Sequence, residues 1–192
     1  MSLAEYRPLI VRGNRALGSL LQEKKLVTAE QLDAANEKLV EYMEQDDVRR
    51  ASILHILLFE SQALKEDDYL EALVEKSGFG VIDLRACLFK KFADLHPDFD
   101  ACWATWAIPF DVVDDFHLLA TTILPGPPTQ KFWQDKYPGK NLLWYVTSVR
   151  SFQTGMEKLE NLINEAAKTA KPPASAKSAK GLTKPAQPVK KS

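Results

Sequence analysis

The sequence predicts a mixed α+β fold: repeated helical hairpins, then a small β-β-α-β-α half, then a disordered tail. Three observations predict it. Apolar residues recur at helical spacing from Leu17 to Leu84. Within that stretch one pattern is written twice, 37 residues apart. From Arg85 onward the texture changes to short apolar runs between turn residues, interleaved with helical segments. The chain has 192 residues, 45% of them apolar, with 25 Lys+Arg against 26 Asp+Glu. Those values suit one domain or two small ones sharing a core, and they exclude wholesale disorder, collagen and a disulfide scaffold.

Residues 1–14 read as a lead, 15–84 as the duplicated helical region, 85–167 as the α/β half and 168–192 as the tail. Leu17, Leu20 and Leu21 fall on one face of a short helix. Leu26 and Val27 follow as an apolar clasp, and Thr28 with Gln31 makes a capping box for the next helix. That helix carries Leu32, Ala35, Leu39, Tyr42 and Met43 as a core-facing stripe. After the charged break from Glu44 to Arg50 the pattern returns. Ile53, Leu54, Leu57 and Leu58 lie on one helix, Ala63 and Leu64 form the clasp, and Tyr69, Leu70, Leu73 and Val74 lie on another helix. Leu17/Leu54, Leu20/Leu57, Val27/Leu64 and Ala35/Ala72 correspond without a gap. A matched clasp and cap region, beyond matched periodicity, favours a true internal repeat.

In the second half, Ala107–Val113 and Phe116–Thr122 read as two strands across an Asp114-Asp115 turn. A Pro-rich loop leads to Thr129, read as the N-cap of a helix through about Lys136. Asn141–Thr147 reads as a third strand. Ser148 caps a final helix with Phe152, Met156, Leu159, Leu162 and Ile163 on one face.

Charge divides the chain. From Lys168 to Ser192 there are seven Lys and no acidic residue, so the tail carries +7 and the rest carries −8 of the net −1. An acidic body argues against a nucleic-acid-binding core. The Lys/Ala/Pro/Ser tail reads first as a solvated spacer. Weak contact with an anionic membrane, a nucleic acid, an acidic protein or the acidic body itself is the alternative. Two cysteines without CxxC spacing, no secretory leader and no apolar run near the ~20 residues of a membrane span predict a reduced, cytoplasmic protein.

Catalytic signatures are missing. His55, His96 and His117 are scattered, with no two at metal-ligand spacing. Asp67-Asp68 and Asp114-Asp115 are adjacent, so each pair diverges. There is no GxSxG, and Gly126-Pro127-Pro128-Thr129-Gln130-Lys131 has prolines where a phosphate cradle needs free N–H groups. The reading is a non-enzyme with no metal and no cofactor. Trp103 and Trp106, one helical turn apart and bracketed by Pro97 and Pro109, are either core or an aromatic anchor for a partner, with Asp98 and Asp100 beside them.

The segments ALGSLLQEKKLVTAEQLDAANEKL and ILLFESQALKEDDYLEALVEKSGFGVIDL resemble the N-terminal domain of type II secretion and type IV pilus assembly ATPases. That family reads RLGxLLxxxGLITxxQLxxALxxQ, followed by a degenerate second copy. Ala107-Ile108-Pro109-Phe110, FHLLATT and YPGKNLLWYVTS also fit its later strands, so the resemblance spans about Arg15 to Glu165. It implies an accessory domain standing apart from its motor, since no ATPase motif follows. One branch of the family clasps cyclic di-GMP between the two copies. At the positions important there, this chain has Ala16, Gly18, Lys25 and Leu39 in the first copy, and Ile53, His55, Gln62 and Lys76 in the second. Only Gly18 is kept, with Arg15 one residue out of register, which argues against cyclic di-GMP binding. A vestigial or divergent nucleotide site would centre on Arg15, Leu17, Gly18 and Leu21. The expected role is an adaptor docking a protein of secretion, pilus or signalling machinery, reaching the inner-membrane face through that partner. The runner-up is a second-messenger receptor.

Overall fold

In a computed structural model, which describes residues 3–89, 91 and 97–169, the 21-residue helix α1 (Leu3–Glu23) underlies both halves. His96 and the tail from residue 170 lie outside the described residues. α1 starts inside the stretch read as a lead, well before Leu17. Tyr6, Ile10, Leu17 and Leu21 form one buried stripe along it. Burying each such side chain contributes about 1.5–3 kcal/mol, enough together to outweigh the roughly 3 kcal/mol cost of Pro8 inside the helix.

The stripe is interrupted by a polar residue. Asn14 is buried, and its Nδ2 donates to the Ile10 carbonyl at 2.9 Å and the Ala51 carbonyl at 3.4 Å. Its Oδ1 accepts the Ile53 N–H at 2.8 Å. Ile53 opens α3 (Ile53–His55), so Asn14 satisfies a helix N-terminal donor that has no partner within its own helix.

The first copy closes with α2 (Ala29–Glu44), whose capping box is made by Thr28 and Gln31 as expected. Leu32, Ala35, Leu39, Tyr42 and Met43 are its buried residues. The second copy departs from a regular helix. After His55 the chain makes a π-helical turn, Ile56–Glu60, closed by the Ser61 N–H on the Ile56 carbonyl at 2.9 Å. The wider turn brings Glu60 to Lys38 and Tyr42 of α2. α4 (Glu66–Ser77) follows, with Glu66, Asp67 and Asp68 in its first turn, and ends at left-handed Gly78. The clasp turns repeat as well: Lys25 and Gln62, 37 residues apart, both have positive φ, 54° and 51°.

Four strands form one sheet in the order β1-β4-β3-β2: β1 (Gly80–Val81), β2 (Ala107–Val113), β3 (Phe116–Thr121) and β4 (Asn141–Val146). β2 and β3 are an antiparallel hairpin turned at Asp114, while β3 and β1 both run parallel to β4. Pro109 sits at a bulge on edge strand β2, where its missing N–H breaks no central ladder. β1 belongs to the exit of the helical region, so the two halves share the sheet.

Three helices cover the sheet. α5 (Phe99–Thr105) precedes β2, and α6 (Pro127–Lys136) crosses from β3 to β4. α6 starts three residues earlier than expected: Gly126 is its N-cap, the two prolines open its first turn and Thr129 lies within it. α7 (Val149–Thr169) is capped by Ser148, whose Oγ accepts the Ser151 N–H at 3.1 Å, and it runs past residue 167. Gly155 lets α7 approach the chain after β1, since a Cβ there would meet Leu84 at 3.0 Å and Phe89 at 3.3 Å. One core runs through both halves, from Leu17, Leu21, Ile53 and Leu57 to Trp106, Trp133 and Phe152.

Candidate functional site

The tryptophan pair packs in the core. Trp106 is 1% exposed and Trp103 8%. Their rings meet edge-on at 5.6 Å, and both pack on Phe152 of α7, at 5.3 and 5.4 Å. Trp106 ends α5 in a left-handed conformation, and its carbonyl accepts the Thr122 N–H at 3.0 Å. Asp98 is engaged too: it caps α5 through the Ala101 N–H, accepts the Tyr6 hydroxyl at 2.5 Å and pairs with Lys136 at 2.9 Å. It therefore joins α1, α5 and α6. Asp100 is half-buried in the first turn of α5.

The vestigial nucleotide candidates divide between two environments. Arg15 and Gly18 line a groove of about 340 Å³ between α1 and α2, together with Asn14, Ser19, Gln22 and Asn36. Leu17 and Leu21 lie in the core instead, 2% and 0% exposed. At four of the other ligand-type positions the side chains have structural tasks. Ile53 and Leu39 are buried, Lys76 holds Glu23 at 2.9 Å, and His55 packs on Phe59 beside Glu60.

The densest polar cluster is built around Glu60. Its carboxylate accepts Lys38 Nζ at 2.8 Å and the Tyr42 hydroxyl at 2.7 Å, with Arg50 at 3.4 Å and His55 at 3.8 Å. Arg50 also bonds the Tyr42 hydroxyl and lies over its ring at 4.2 Å. Burial pushes the Glu60 pKa up, but the bonds from Lys38 and Tyr42 and the Lys38 charge outweigh it and hold the carboxyl at about 2. Burial pushes His55 down, only partly offset by Glu60. This cluster ties the π-helical turn to α2. The thiols are equally quiet: burial pushes both Cys87 and Cys102 upward, away from the thiolate. His117 is buried against Tyr137, its pKa lowered by burial and by Lys140, and its Nδ1 has no hydrogen-bond partner among the described residues.

One face of the sheet leaves apolar side chains open to solvent. Pairing sets Val113 of β2 opposite Phe116 of β3, and Leu118 of β3 beside Leu143 of β4, on one face of the sheet. Val113, Phe116 and Leu143 are 46%, 45% and 42% exposed. At the rim Lys140 pairs with Asp115 at 3.2 Å, and Lys91 donates to the Val112 carbonyl at 3.0 Å. Sequence reasoning missed this face, because FHLL and NLLWYV are near-continuous apolar runs that signal burial on both sides. No helix among the described residues is long and apolar enough to cross a membrane.

No protein-family model and no curated protein sequence matches the chain. Among solved structures it is similar to MshE with cdg, at 21% identity over 74% of this chain and 97% of that one, with a TM-score of 0.45. It is also similar to the N-terminal domain of XpsE in two crystal forms. One matches at 16% identity over 75% of this chain and 93% of that one, TM-score 0.45. The other matches at 16% identity over 76% and 94%, TM-score 0.43.

The Glu60 cluster makes a pH prediction. With a folded pKa of about 2 against an ordinary value of 4.5, the charged carboxylate stabilises the fold above pH 4.5, and that contribution is lost as pH falls towards 2. Glu60→Gln should therefore lower stability at pH 7 by ~1–3 kcal/mol, with the difference from wild type shrinking steadily between pH 4.5 and 2. Urea unfolding across that range checks it, and a pH-independent difference would rule out the ionised cluster as the cause.

Proposed function

We propose that this chain is a non-enzymatic adaptor that docks a protein partner, and that the partner belongs to the secretion, pilus or signalling machinery implied by the sequence resemblance. The observation that carries the reading is the open apolar face of Val113, Phe116, Leu118 and Leu143. Contiguous apolar surface on a folded protein marks interaction sites more often than catalysis. The titratable groups support it by their commitments: Asp98, Glu60 and Lys76 hold elements together. A cytoplasmic protein held at the inner-membrane face through its partner fits this reading. The test is capture of partners from source cells with the wild-type chain and with Phe116→Ser/Leu143→Ser. Helicity and Tm of the variant should match wild type, and the captured partner should fall at least tenfold. Undiminished capture by a folded variant sinks the reading.

A second reading, a nucleotide second-messenger receptor with a divergent site, is favoured only by the groove holding Arg15 and Gly18. It lacks cations: Arg15 is the one cationic side chain lining that groove. Cyclic di-GMP is therefore expected not to bind. Isothermal calorimetry with cyclic di-GMP should give no saturable heat, whereas micromolar saturable binding would establish the receptor reading in place of the adaptor.

A further inference from the structure

The sheet ends at β1 in an unusual way. β1 pairs with two residues of β4, Tyr145 and Val146, and no strand lies beyond it among the described residues. The Ile82 N–H bonds the Val146 carbonyl at 2.9 Å, so by strand alternation the Val81 N–H and C=O point to the open side. Val81 is 58% exposed. Beside it runs a groove of about 430 Å³, lined by Val81 and by Asp67, Leu70, Glu71, Val74 and Glu75 of α4.

The spacing of those five residues puts them on one face of α4. Leu70 and Val74 are half-buried and form an apolar floor with Val81, while the three carboxylates are exposed. Asp67 and Glu71 have no ion-pair partner among the described residues. Glu75 pairs with Lys24 at 2.7 Å, through a carboxylate that is 68% exposed. The carboxylates rise along the helix in steps of four residues, about 6 Å each. Alternate side chains of an extended peptide are spaced about 6.6 Å apart, nearly the same interval. An unpaired backbone donor and acceptor, an apolar floor and an acidic rim in matching register are what an extended basic peptide needs.

We infer that this groove takes an extended cationic segment of the partner protein. The segment adds to the edge at Val81, sets a Leu or Val on Leu70 and Val74, and carries Lys or Arg two residues to either side, towards the carboxylates of Asp67, Glu71 and Glu75. The inference rests on the adaptor reading and names the chemistry of its partner at a second surface.

Fluorescence polarisation on the full chain tests it, with a labelled synthetic nonapeptide centred on Lys-Ala-Leu-Ala-Lys as the probe. Expected are saturable binding, weakening with salt, at least a tenfold loss for Asp67→Lys/Glu71→Lys at unchanged helicity, and no binding of the same peptide with Glu in place of Lys. Because the peptide-side reversal leaves the protein untouched, misfolding of the variant does not obscure the result. Absence of saturable binding, or equal binding by the Glu peptide, overturns the inference. The chain itself contains Lys180, Leu182 and Lys184 at the same spacing. If Lys180→Ser/Leu182→Ser/Lys184→Ser in the full chain tightens probe binding tenfold, the chain's own segment is the occupant and the partner assignment is overturned. Failure here with partner capture still dependent on Phe116 and Leu143 removes the groove alone. Failure of that capture removes the adaptor reading itself.

Discussion

The side-chain amide of Asn14 is the contact on which the arrangement of this molecule depends. It lies at the waist of α1, in a position that periodicity would otherwise give to an apolar residue. The N-terminal half of the helix meets α5 and α6 through Tyr6, which bonds Asp98 and meets the Phe132 ring edge-on at 6.0 Å. The C-terminal half, with Leu17 and Leu21, packs within the helical region. Between them Asn14 bonds Ala51, its counterpart one repeat later, and Ile53 at the head of α3. A buried amide is tolerated only when its bonds are made, and a buried donor left without a partner costs about 1–3 kcal/mol. The bridge therefore fixes how the second copy sits on the first.

From that placement the surface chemistry follows. With α3 held against α1, the π-helical turn directs Glu60 to α2, where Lys38 and Tyr42 satisfy it together with Arg50 from the turn that follows. With α1 held against α5, the aromatic cluster of Trp103, Trp106 and Phe152 closes beneath α7. These contacts engage the polar and aromatic groups that would otherwise attract attention as sites. Part of the apolar surface left over lies on the sheet, at its open face and at its short edge strand.

Much of this was legible in the sequence. The two copies could be aligned because helix, clasp and cap recur at one fixed interval, and the turn residues Lys25 and Gln62 share one backbone conformation at that interval. The Thr28 capping box and the Asp114 turn were local signals that tertiary structure left intact. The start of α1 was hidden because Asn14 breaks the apolar stripe and Pro8 imitates a boundary; long-range packing decides both. The π-helical turn was hidden since Ile56–Glu60 differs from a regular helical turn only through contacts with α2. For the tryptophans, shared spacing could not say which way the face points. The open sheet face was hidden because apolar runs look alike whether one or both sides are covered.

The most direct test of this account is equilibrium urea unfolding of Asn14→Ala, followed by tryptophan fluorescence for the α/β half and by far-UV circular dichroism for the helices. The account predicts a loss of about 2 kcal/mol or more on both probes, since the Ile53 N–H is left buried without its acceptor. Stability within about 0.5 kcal/mol of wild type, the range of an ordinary surface substitution, would contradict it.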